Sequence, residues 1–112
     1  MTSEISIAVT LGDDKMPAKI EWKAPGAGID DLNAAKGLLL GLWDGKAKEA
    51  LRIDLWTTNM MVDEMNDFFY QSLIGMSQTY QRATNNAELA KELKEFADKF
   101  YQKSMDALQN NQ

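Results

Sequence analysis

The chain contains no histidine and no cysteine. Without an imidazole there is no ordinary base to activate a serine, and without either residue type the usual zinc ligands are missing. The lack of cysteine also excludes disulfides and thiol redox chemistry. Prolines are confined to Pro17 and Pro25, and no apolar run approaches the length of a membrane span, so membrane insertion is not expected. The start, Met1 to Glu4, lacks the positive segment, the apolar segment and the cleavage site of a secretory signal. A cytoplasmic location is the expectation.

Basic residues are outnumbered, 12 against 17 acidic, for a net charge of −5, and no basic stretch is dense enough to follow a phosphate backbone. Nucleic acid is therefore not an expected partner. At 112 residues with ordinary globular composition, the chain is read as one domain, residues 1–112.

Two sequence periods divide it. Residues 4–11 alternate, with Ile5, Ile7, Val9 and Leu11 on one side, and a turn cluster from Gly12 to Lys15 leads into a second alternating run at 17–24. After Pro25-Gly26-Ala27-Gly28, residues 29–36 are left open between a helical turn and a connection. Residues 37–43 and 49–56 read as a second hairpin around Asp44-Gly45. If Leu38, Leu40 and Leu42 share a face with Leu51, Ile53 and Leu55, even positions must sit opposite odd ones, with Leu40 opposite Ile53.

Beyond Thr57 the period becomes helical. Val62, Met65, Phe69, Leu73, Met76, Tyr80 and Ala83 mark a helix at about 61–84, with Thr58 or Asn59 as cap. Leu89, Leu93, Phe96, Ala97, Phe100, Tyr101 and Leu108 mark a second at about 87–108, opened by Asn85 with Glu88, while residues 109–112 should fray. The expected fold class is α+β: an antiparallel four-stranded sheet of two hairpins, covered on one face by the two amphipathic helices.

Catalytic candidates are few. Asp63, Glu64 and Asp67 could serve as a carboxylate hydrolase or divalent-metal site, but a helix start attracts acidic residues on its own, and all three point away from the apolar stripe. The glycines after Pro25 lack the spacing of a phosphate loop. No cofactor, catalytic residue or metal ligand is assigned, and the methionines read as core filling. Two features stand apart. Trp43 and Trp56, with Arg52 and Asp54, fall on the hairpin face away from the leucines. Tyr70 and Ile74 lie opposite the stripe of the first helix, either under the second helix or on an exposed surface. These six residues form the candidate protein-binding surface.

Three ordered segments, Lys19-Ile20-Glu21-Trp22, Leu38 to Asp44 and Leu51-Arg52-Ile53-Asp54-Leu55-Trp56-Thr57, continue through Met60 to Met65, Phe68-Phe69, Met76 and Arg82-Ala83-Thr84-Asn85. Together they resemble the gliding motility protein GldC family over nearly the whole chain. Met61 stands where the family often has proline, and Gly75 where a small residue other than glycine is usual. The resemblance implies a small non-enzymatic accessory protein of gliding motility and its linked secretion apparatus, with a component of that machinery as protein partner. A homo-oligomer, or a chaperone-like module binding client segments, is the alternative.

Overall fold

The computed structural model describes residues 1–110. It contains antiparallel strands and two helices, so the chain is α+β, and it forms two compact units, Met1–Met60 and Met61–Gln112.

The first unit carries β1 (Ser6–Leu11), β2 (Pro17–Ala24), β3 (Ile29–Ala35), β4 (Gly37–Asp44) and β5 (Glu49–Trp56). The expected single four-stranded sheet is replaced by two sheets: β1-β2-β3, and the hairpin β4-β5. The cause is the segment left open in the sequence. Pro25–Ala27 make a short 3-10 turn closed by Gly28 at φ 80°, a left-handed conformation that glycine adopts without penalty. The chain is thereby returned along β2, pairing Trp22 with Asn33 and Ile20 with Ala35. This fills the free edge of β2 that a second hairpin would otherwise have used.

Ile20, flanked by Val9 of β1 and Ala35 of β3, is the one large side chain that is fully buried among the described residues, at 2% exposure. Ile5, Ile7, Ile20, Trp22, Ala35, Gly37 and Leu38 line a half-open apolar hollow of about 230 Å³. Backbone hydrogen bonds join the two sheets: the Thr57 N–H donates to the Lys36 carbonyl at 2.8 Å and the Thr58 N–H to the Pro17 carbonyl at 3.2 Å. Thr57 is buried, and its hydroxyl lies 3.3 Å from the same Lys36 carbonyl.

The second unit is a helical pair, α1 (Val62–Thr84) and α2 (Ala87–Asn110). Thr58 and Asn59 do not cap α1. Instead the Glu64 carboxylate accepts the Met61 N–H at 3.1 Å and Asp63 accepts the Glu64 N–H at 2.9 Å. Asn85 is not the cap of α2 either; it closes α1 in the left-handed region at φ 56°. Asn86 caps α2, its side-chain oxygen accepting the Leu89 N–H at 3.0 Å. Gln109 and Asn110 belong to α2, whereas residues 111 and 112 lie outside the described residues.

The helices bury part of the expected stripe: Ala97 is buried, and Met65, Leu73, Tyr80, Leu93, Phe100, Tyr101 and Leu108 are half-buried. Ser77, Ala90 and Ala97 are the buried residues of the pair, and Tyr70 meets Tyr101 with ring centroids 4.6 Å apart. Small side chains at Ala90 and Ala97 let the backbones approach, which the larger stripe residues would prevent. Val62, Phe69, Met76, Leu89 and Phe96 remain exposed.

Candidate protein-binding face

β4 and β5 are joined by a turn that the sequence builds locally. Asp44 accepts the N–H groups of Lys46 and Ala47 at 2.9 and 3.1 Å, and Lys48 takes a left-handed conformation at φ 57°. This fixes the register, pairing Leu40 with Ile53 as the leucine alternation requires. Gly37, Leu39, Gly41 and Trp43 then share one face with Trp56, Asp54, Arg52 and Ala50.

On this face Trp43 is 69% and Trp56 51% exposed. They stand at opposite ends of the ladder, Trp43 opposite Ala50 and Trp56 opposite Gly37. Six residues of strand separate them, which is about 20 Å. Between them Arg52 and Asp54 form a two-pronged pair, Nε to Oδ2 at 2.9 Å and Nη2 to Oδ1 at 2.8 Å. The hydrogen bonds to Asp54, and then its charge, raise the Arg52 pKa above its ordinary value. Gly41 is the residue opposite Arg52, and a Cβ there would lie 3.1 Å from an Arg52 guanidinium nitrogen. A side chain at position 41 would require the guanidinium to give way by a few tenths of an ångström, so the glycine leaves room for the ion pair across the strand. Sequence alternation located the four residues of this face but not the role of Gly41, which depends on knowing what crosses the strand.

The leucine face of the hairpin is covered only towards one end: Leu38, Leu40 and Leu55 are half-buried, whereas Leu42, Leu51 and Ile53 are exposed. Both faces of β4-β5 present apolar side chains, and the ion pair distinguishes the tryptophan face.

Tyr70 and Ile74 belong to the helical unit. Both are half-buried on the side of α1 that meets α2, where the Tyr70 hydroxyl donates to Asp98 at 3.1 Å. That hydrogen bond, followed by desolvation and the charge of Asp98, raises the Tyr70 pKa. Asp98 carried no signal in the sequence, being 28 residues away on what reads as a solvent face. Asp63 and Glu64 are engaged by backbone N–H groups at the start of α1. Among the described residues no cluster of three or more carboxylates is arranged to hold a metal ion. No described helix is long and apolar enough to cross a membrane.

No curated protein and no solved structure matches the chain. A family model does: the one described as gliding motility-associated protein GldC-like matches residues 17–106, a span that takes in β2 to β5, the whole of α1 and most of α2. That description names motility and no enzymatic activity. The match covers most of the sequence, including every residue of the tryptophan face, and the chain belongs to the GldC-like family of gliding motility-associated proteins.

Proposed function

We propose that this chain is a non-catalytic accessory protein of gliding motility and its linked secretion apparatus, acting in the cytoplasm by binding a protein partner through the tryptophan face of β4-β5. All 112 residues serve as one functional domain in this reading, with no cofactor. The observation that carries it is the exposure of Trp43 and Trp56 on the face that holds the Arg52–Asp54 pair. Indole and guanidinium groups are the side chains that most often anchor protein interfaces, since each combines large contact area with a directed polar group.

The test places a photo-crosslinking residue at position 43 or 56 in gliding cells, with position 95 on α2 as control. Adducts with a motility or secretion component at 43 and 56, and none at 95, are expected. In parallel, Trp43→Ala and Trp56→Ala should reduce gliding at normal protein level, weakening the partner by about 2 kcal/mol each. Because both side chains are exposed, stability should change by less than about 1 kcal/mol. Wild-type gliding in both variants, or unfolding of either, overturns the reading.

A chaperone-like module for extended client segments is the second reading, supported by the apolar hollow beside Ile5 and Ile7. It predicts that the protein suppresses aggregation of an unfolded reporter and that Trp43→Ala leaves this suppression unchanged.

A further inference from the structure

The helical unit carries a second apolar surface, distinct from the tryptophan face. On α1, Val62, Phe69 and Met76 recur every seven residues, which places them in one line along the helix. On α2, Leu89 and Phe96 do the same. The two lines are continuous: Phe100 lies with its ring centroid 6.3 Å from Phe69 and 6.4 Å from Phe96. Phe96, at the centre of α2, is 58% exposed. Two helices bury only the seam between them, and an outward apolar face at seven-residue spacing is what a second helical pair covers in a four-helix bundle.

We propose that this face takes a second copy of the same chain, the two α2 helices crossing antiparallel about a two-fold axis near Phe96. Two observations select that occupant. The first is area. Val62, Phe69, Met76, Leu89 and Phe96 are 39–67% exposed, an extended apolar centre that, with a polar rim, suits the roughly 800 Å² per partner of a specific dimer. The second is charge. Glu92 and Lys99 lie on the same flank of the stripe, four residues before and three after Phe96. In an antiparallel pair Glu92 of one copy meets Lys99 of the other, twice by symmetry, whereas a parallel pair turns these flanks to opposite sides and leaves them without each other. Lys103 and Leu89, each seven residues from Phe96, also come opposite one another, and the lysine stem can lie over the leucine with its ammonium in water.

The test is the mass of the full chain by light scattering or sedimentation over a concentration series. The wild type should be a dimer. Phe96→Glu should raise the dimer Kd about a hundredfold without loss of helical circular dichroism, because the side chain is exposed in the single copy. Glu92→Lys or Lys99→Glu alone should weaken the dimer about tenfold, and the double exchange should restore it to within about threefold. Trp43→Ala should leave the mass unchanged. A wild-type monomer at every concentration overturns the proposal. So does a dimer that survives Phe96→Glu, a double exchange no tighter than the single ones, or a dimer lost with Trp43→Ala.

Discussion

In the strand unit, Met1–Met60, the side chain most removed from water is that of Ile20; in the helical unit, Met61–Gln112, it is Ala97, at 0% exposure. The aromatic residues divide in the same way. All three tryptophans, Trp22, Trp43 and Trp56, belong to the strands, and all four phenylalanines and three tyrosines belong to the helices. The strands are held by ladders of backbone hydrogen bonds and by Thr57 between the sheets, with a large aliphatic residue filling the one enclosed position. The helices need no ladder between them and close through small residues that let two backbones approach. Both also leave large apolar side chains exposed: Trp43 and Trp56 in one unit, Phe69 and Phe96 in the other. What is buried holds each unit together, and what is exposed is available for recognition.

The largest effect should come from breaking the strand interior. Ile20→Ala removes the one fully enclosed large side chain among the described residues and should destabilise by about 2–4 kcal/mol. Tryptophan fluorescence follows the strand unit alone, and helical circular dichroism follows the other, so the variant also tests whether the chain unfolds as one domain. A single cooperative domain requires both signals to shift to the same lower temperature. If only the tryptophan transition moves, the two units unfold independently and the one-domain reading fails.

The hairpin β4-β5 was legible in the sequence because three signals agreed: the leucine alternation, the Asp44-Gly45 turn and β-prone residues in both strands. Its register followed from parity alone. The strand β3 was not legible. Asp30, Asp31, Asn33, Ala34 and Ala35 are poor strand formers, and they are extended because Gly28 returns the chain along an unpaired edge of β2, a tertiary cause. The helices were legible as helices, and in part in what they bury. Periodicity includes Ala97, Leu73 and Leu93, but it also includes Val62, Phe69, Met76, Leu89 and Phe96, which are exposed, and it misses Ser77 and Ala90, whose small size lets the helices close. The tryptophan face was legible as a set of residues, since period two assigns Trp43, Arg52, Asp54 and Trp56 to one side. That both indoles meet solvent was not, because exposure depends on whatever else packs there. Tyr70 and Ile74 illustrate the same limit: helical spacing placed them on one face but could not say that α2 covers it.

The seam of the helical unit should break by the opposite change to Ile20→Ala. Ala97→Leu overfills it, pushing α1 and α2 apart at a cost of about 1–3 kcal/mol. Calorimetry or urea unfolding followed by circular dichroism measures it. A neutral result would mean that the seam has room and that residue size does not select the buried face. Gly75 offers a sharper comparison in the other direction. It lies inside α1, and a Cβ added there meets nothing within 4 Å, so Gly75→Ala should stabilise by about 1 kcal/mol. A destabilised variant would show that something approaches the α1 backbone at this position.

The smallest effect, and the one most specific to the helical unit, is a pH dependence at Tyr70. Its hydroxyl donates to Asp98, and both this bond and the neighbouring negative charge favour the protonated phenol, so the folded pKa stands above the unfolded value of about 10. The fold therefore holds a proton that the unfolded chain releases first. The associated stabilisation is fully present below pH about 10 and is lost as pH rises through the folded pKa. Tyr70→Phe keeps the ring against Tyr101 but has no proton to hold. The gap in urea midpoint between wild type and Tyr70→Phe should accordingly be constant at neutral pH and narrow in the alkaline range, while tyrosinate absorbance shows a late phase for Tyr70 that is missing from Tyr70→Phe. Asp98→Asn removes the charge but leaves an amide oxygen to accept the hydrogen bond, and should bring that late titration part of the way back. A gap that widens with pH would mean that Asp98 does not hold the phenol in its protonated form, and that Tyr70 contributes to the seam by ring packing alone.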